Sequence, residues 1–253
     1  MQPEIDLLGL PIKTFGLCFA LAFLAAGAVL ARRFREVGWP GDQATEALLA
    51  ALLGGLVGAR GYWLIDNWSE AKGDVFGSIF GGSGLTWYGG AAGGALAVLA
   101  WAKWRGHFNA KLLDAAAPSL ALGYALGRVG CQVSGDGDYG RVSDAPWAMG
   151  YPKGAVKTDP GVEVLPTPIF ETVVMGVAAL LLWQLRDRLP AGALFGLYLV
   201  LAGVERFVVE FWRRNPEVDL GLTTAQVTSI AMMVVGGALL AWRLRAARTR
   251  AAA

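Results

Sequence analysis

Long apolar runs separated by short polar connections dominate this chain. Seven runs, at roughly 12–31, 45–65, 85–104, 112–131, 167–185, 191–212 and 223–242, are each about 20 residues long, enough to cross a hydrocarbon core of about 30 Å. A backbone exposed to lipid has to satisfy its own hydrogen bonds, so each run is expected to be helical. The pattern predicts an all-α, polytopic membrane protein with about seven transmembrane helices, organised as a single integral-membrane domain over residues 1–253. The longest connection, 132–166, gathers Pro, Gly and most of the extramembrane acids, and reads as an extracytoplasmic loop region. No internal repeat is evident.

Composition agrees. Hydrophobic residues make up 55% of the chain and charged residues 17%, below the roughly 25% typical of soluble domains. A net charge of +2 gives no reason to expect nucleic acid as a partner. The two cysteines, Cys18 and Cys131, lie in or beside apolar runs, which suggests neither a disulfide framework nor a thiolate metal site. The one histidine, His107, sits in a short basic loop without neighbouring ligands, so no metal and no cofactor are expected. Residues 1–10 carry Glu4 and Asp6 and lack the basic start of a cleavable signal, so the first apolar run is expected to be retained.

Lys and Arg distribution sets an expected orientation. Arg32, Arg33, Arg35, Lys103, Arg105, Lys111, Arg186, Arg188 and the four arginines at 243–250 fall on one side. The opposite side has Lys13, Lys72, Arg141, Lys153, Lys157, Arg213 and Arg214, three of them in the long loop that weighs less. The N-terminus is therefore expected outside and the C-terminus in the cytoplasm of a bacterial inner membrane. That orientation brings Arg60, Arg128, Glu205, Arg206 and Glu210 to the outer ends of three runs. Trp87, Tyr88, Thr167, Glu171, Thr223, Thr224 and Gln226 come to the outer ends of three others. Polar residues from six runs thus share one depth, which points to a polar cavity in the outer leaflet. Arginines there suit a lipid phosphate, because guanidinium presents a planar fork and keeps its charge when partly desolvated. Glu210, four residues after Arg206, lies on the same helical face and either orients that arginine or forms an ordinary helix-surface ion pair. Glycines spaced by four, at 54/58, 89/93, 90/94 and 123/127, predict close helix packing. Asp114 reads as a charge at the start of its own helix.

The stretch Gly127-Arg128-Val129-Gly130-Cys131-Gln132-Val133-Ser134-Gly135-Asp136, followed by Gly140, places an arginine and carboxylates on a glycine-rich connection. It resembles the G-R-x-G-N-x-x-N-G-E signature of the prolipoprotein diacylglyceryl transferase family. The segments beginning at Gly54 (through Arg60 to Tyr62), Gly84 (through Tyr88 to Gly90), Pro166 (through Glu171) and Arg206 (through Glu210 to Arg213) resemble further family segments in the same order. The likeness covers nearly the whole chain. It implies a seven-helix inner-membrane transferase that moves diacylglyceryl from phosphatidylglycerol to the lipobox cysteine thiol of a prolipoprotein. It also implies a site in which Tyr88, Arg128, Arg206, Asp136 and Glu171 serve catalysis, while Arg60, Arg128, Gly130, Cys131, Ser134, Gly135, Gly140, Arg206 and Glu210 bind substrate.

The chain departs from the family pattern at several positions. Tyr88 stands for the usual His, Cys131 and Ser134 for two Asn, and Asp136 for Glu. Phe15 and Ala202 stand where Tyr is common, and Leu165 where His is common. The arginines are kept and several proton carriers are not. Two functions follow as expectations: a transferase using Asp136, Asp138 or Glu171 as base with Tyr88 as donor or orienter, or a relative that binds anionic phospholipid or lipoprotein without transfer. A small-solute transporter fits less well, since transporters favour midplane sites and internal repeats. Cys131 is open to two roles, nucleophile or packing residue.

Overall fold

The computed structural model describes residues 1–7, 9–73, 77–78, 86–218 and 221–252. Seven long helices are found among the described residues: α1 Thr14–Glu36, α2 Gln43–Asp66, α3 Trp87–Arg105, α4 Ala110–Ser134, α5 Thr167–Leu185, α6 Ala193–Glu210 and α7 Thr224–Ala252. Each coincides with one apolar run. Four stretches, Thr14–Glu36, Gln43–Asp66, Thr167–Leu185 and Thr224–Thr249, are long and apolar enough to cross a membrane by length and composition. The protein is a multi-pass membrane protein. The polar residues that build the site interrupt the apolar runs of α4 and α6. Of the Gly84–Gly90 segment, Gly84 and Leu85 lie outside the described residues.

The chain forms two compact units, Met1–Leu30 with Leu113–Ala253, and Ala31–Leu112. In the smaller unit α2 and α3 are in backbone contact. A Cβ on Gly58 would run into the Gly89 carbonyl, and one on Gly54 would meet Gly93 and Ala97. The glycine spacing at 54/58 and 89/93 therefore serves packing within the fold, whereas a Cβ on Gly127 would meet nothing within 4 Å. His107 is structural: its ring stacks on Trp39 at 4.0 Å between centroids, and Nε2 lies 2.6 Å from Gln43 Oε1.

In the larger unit an alanine-rich face of α4 (Ala117, Ala121, Ala125) packs on Met175, Ala178, Ala179 and Leu182 of α5 and on Leu194 of α6. Small side chains let these three helices approach closely, which draws their polar ends together. Asp114 accepts hydrogen bonds from the backbone N–H groups of Gly192 (2.6 Å) and Phe195 (2.9 Å). It thus satisfies orphan donors at the start of α6, besides standing in the first turns of its own helix. Thr223 and Gln226 form a reciprocal cap at the start of α7, with Gln226 N 3.2 Å from Thr223 Oγ1 and Thr223 N 3.0 Å from Gln226 Oε1. Their polarity at the end of the run is explained by that cap.

Two features go beyond the helix pattern. Strands β1 Glu4–Leu7 and β2 Leu10–Lys13 form an antiparallel hairpin ahead of α1. It is tied to the end of α4 by Gln2 N donating to Val133 O at 2.9 Å. The 135–166 connection is a folded cap, with Tyr139, Tyr151 and Val164 as its small core and bridges from Val164 to Val142 and Met149. Tyr139 and Tyr151 stack at 4.6 Å, and Tyr151 donates to Gln132 Oε1 at 2.8 Å. Burial pushes the Tyr151 phenol up to about 12.

Candidate active site

The signature stretch is half helix and half loop. Helix α4 continues through Arg128, Gly130 and Cys131 to Ser134, because nothing before Gly135 breaks it. Gly135 ends it at φ +62°, a left-handed conformation that a side chain disfavours. Gly140 is needed for space: a Cβ there would lie 2.5 Å from the Trp212 carbonyl oxygen. The backbone at 140–141 crosses at this point, Gly140 N donating to Leu165 O at 2.8 Å and Arg141 N to Trp212 O at 2.7 Å. This stitching holds the loop that carries Asp136 and Asp138 against the ends of α5 and α6.

At the centre lies Glu171, in the first turns of α5, with a fully buried side chain. Its Oε2 is 3.2 Å from Arg128 Nε, and its Oε1 is 3.2 Å from Arg206 Nη1. Tyr124, one turn before Arg128 on α4, donates its hydroxyl to Glu171 Oε1 at 3.0 Å. Glu210 lies 2.8 Å from Arg206 Nη2 and accepts from Asn215 Nδ2 at 2.7 Å, and its side chain is equally buried. The Arg206–Glu210 pair is therefore part of the interior. Asp138 bridges Arg128 to a third guanidinium, that of Arg213. Its Oδ2 takes Arg128 Nη1, and its Oδ1 takes Arg213 Nη2 at 2.6 Å. Burial alone would push its pKa up, but Arg128 and Arg213 outweigh that and hold the carboxyl below the usual carboxylate range.

Three guanidinium groups thus meet three carboxylates in one connected network, built from α4, α5, α6 and the loop. Each guanidinium is fixed by a fork of contacts, which orients it and leaves little rotamer freedom to lose on binding an anion. Arg213, Asp138 and Tyr124 are members that the depth argument did not single out. Arg213 was visible as the last residue of the Arg206–Arg213 segment. Tyr124 was visible through its four-residue spacing from Arg128.

The other expected site residues divide clearly. Cys131 is buried, its Sγ 3.7 Å from Arg128 Nη1 and 3.8 Å from Asp138 Oδ2. Ser134 turns its hydroxyl back to the Gly130 carbonyl at 2.7 Å within its own helix. Gly130 packs α4 against Cys18 of α1. Asp136 is half-buried, accepts from Asp138 N at 3.2 Å, and has no ion pair among the described residues. Arg60 and Tyr88 belong to the smaller unit. There Arg60 is buried with its guanidinium 4.6 Å from the Trp63 ring centre, and Tyr88 is exposed, edge-on to Trp87. Cys131, Asp136 and Asp138 bring three possible metal-ligating atoms within 4.8 Å of one another. Both oxygens of Asp138 are engaged by arginine, so guanidinium already supplies the positive charge a cation would bring.

Fold and site together define a multi-pass membrane protein with an interior arginine–carboxylate network at the ends of its helices. The family model described as prolipoprotein diacylglyceryl transferase matches residues 4–242. The phosphatidylglycerol–prolipoprotein diacylglyceryl transferase of Photobacterium profundum is 33% identical over 263 residues, covering 97% of this chain and 94% of the relative. The proteins of the same name from Clostridium tetani and Vibrio vulnificus are 30% and 32% identical, covering 93% and 91% of this chain and 95% and 87% of the relatives. The chain belongs to the prolipoprotein diacylglyceryl transferase family.

Proposed function

We propose that this protein transfers diacylglyceryl from phosphatidylglycerol to the lipobox cysteine thiol of prolipoproteins, at the outer leaflet of the bacterial inner membrane. The observation that carries the reading is the convergence of Arg128, Arg206 and Arg213 on one buried site. In the reaction the substrate thiolate attacks the glycerol carbon that bears the phosphate ester. A carbon–sulfur bond forms, the carbon–oxygen bond breaks, and glycerol phosphate leaves with the electron pair. Arg128 and Arg206 hold the phosphate and stabilise charge on the leaving oxygen. The thiolate is the reactive form, so a base has to take the thiol proton. Asp136 suits that role best among the carboxylates, because Asp138 and Glu171 are committed to arginines. Glu171 and Glu210 orient the guanidinium groups.

One observation favours a second reading, phospholipid binding without transfer. Arg128, Arg206 and Arg213 all have carboxylate partners, so a phosphate has to compete for them. The test is to incubate purified protein with phosphatidylglycerol and a lipobox peptide and to search for the thioether-linked peptide by mass. Appearance of the adduct supports transfer. Retention of phosphatidylglycerol without adduct selects the binding reading, and neither result rejects both.

A further inference from the structure

Glu205 is a buried carboxylate of this region that stands outside the arginine ion pairs found among the described residues. It lies on α6 beside Arg206, only 4% exposed. Its neighbours are Tyr124 and Arg128 on α4, Glu171 on α5, and Tyr198 and Arg206 on its own helix. Glu205 Oε1 is buried and finds no hydrogen-bond donor among the described residues. The nearby donors are already committed. Arg206 serves Glu171 and Glu210, and Arg128 serves Glu171 and Asp138. The Tyr124 phenol lies against Glu205 as well, but its single proton is directed to Glu171 at 3.0 Å. A buried acceptor left unsatisfied costs about 1–3 kcal/mol, so one retained beside a binding site points to a donor that arrives with the ligand.

We infer that Glu205 Oε1 accepts a hydrogen bond from a hydroxyl of the phospholipid headgroup and so selects polyol headgroups over those without a hydroxyl. This rests on the phospholipid reading of the arginine site. The arginines recognise the phosphate, which all anionic phospholipids share and which therefore cannot distinguish among them. Glu205 precedes Arg206 on α6 and shares Arg128, Glu171 and Arg206 as neighbours, so in this proposal the group esterified to the phosphate comes to its carboxyl. A single open acceptor atom suits a hydroxyl, which brings one donor. An ammonium headgroup would bring three donors to be satisfied.

The test compares binding of phosphatidylglycerol, phosphatidylmethanol and phosphatidylethanolamine to the full chain in detergent. The first two carry the same single phosphodiester charge and differ in the headgroup hydroxyls. Wild type is expected to prefer phosphatidylglycerol over phosphatidylmethanol by about threefold or more, the scale of one hydrogen bond. Glu205→Met keeps the volume and removes the acceptor. It is expected to bring phosphatidylglycerol down to the level of phosphatidylmethanol while leaving phosphatidylmethanol binding unchanged, which also reports that the variant is folded. Equal binding of the two lipids by wild type, a preference that survives in Glu205→Met, equal loss of both lipids in that variant, or phosphatidylethanolamine binding as tightly as phosphatidylglycerol each overturn the inference. Binding of no anionic lipid by wild type overturns the phospholipid reading itself.

Discussion

At the scale of single residues, the guanidinium forks decide the site. Arg206 reaches Glu171 with Nη1 and Glu210 with Nη2, so its two terminal nitrogens hold separate carboxylates. Lysine offers one point charge in place of that fork. Arg128→Lys and Arg206→Lys are each expected to lower transfer by at least about tenfold, the effect of losing one charged hydrogen bond, with turnover on a lipobox peptide as the measure. Full activity in both variants would reduce the arginines to generic positive charge. Asp138 gives a pH dependence. Its carboxyl is held below the usual range by Arg128 and Arg213, so its contribution to stability is complete above an ordinary carboxylate pKa of about 3.9 and is lost as pH falls through the lowered folded value. The difference in melting temperature between wild type and Asp138→Asn should therefore be widest near neutrality and close in acid. A gap independent of pH would show that the pair contributes no linked charge. The arginines were legible in the sequence because charge in an apolar run is rare. Their partners were less so, because Asp138 lies in a polar loop where one acid looks like another.

At the scale of elements, apolar run length recovered the helices, while their ends were set by local chemistry that run length does not encode. Helix α4 passes through the start of the signature to Ser134, carrying Pro118, Gly127 and Gly130 within it, and ends where Gly135 takes a positive φ. The hairpin at Glu4–Lys13 was missed because its two four-residue strands precede α1 without a periodic pattern of their own. Glycine spacing was more informative. It marked the α2–α3 contact directly, but it did not mark Gly196 and Gly236, where a Cβ on either would meet the other's carbonyl oxygen at 2.8 and 2.6 Å. These two lie on different helices, so no spacing within one helix reveals them. Gly58→Val is expected to destabilise the smaller unit by about 1–3 kcal/mol, as overpacking does, because the obstacle is the Gly89 backbone and cannot rotate away. Thermal unfolding in detergent measures it, and an unchanged midpoint would mean that the helices separate readily.

At the scale of the whole molecule, seven helices were readable from the chain because lipid imposes one rule on every span. Orientation rests on the basic residues of the connections. A reporter fused after Arg250 is expected to read cytoplasmic and one inserted near Gly154 periplasmic; the reverse pattern would put the arginine network on the cytoplasmic face. The network also bears on biogenesis. Arg128 emerges from the ribosome before Glu171, and its other carboxylate partner, Asp138, lies in the loop that α5 and Arg213 help to hold. Until those later segments arrive, α4 carries a charge into the bilayer without its buried counterion, so its outer end is expected to stay loosely seated during synthesis. In a Cys18→Ser background, a chain truncated after Gly150 should expose Cys131 to a membrane-impermeant maleimide, whereas the complete chain, which buries that thiol, should protect it. Equal protection in both would mean that α4 seats itself. On this expectation, the same ion pairs that join α4, α5 and α6 in the finished protein would set the order in which those helices settle.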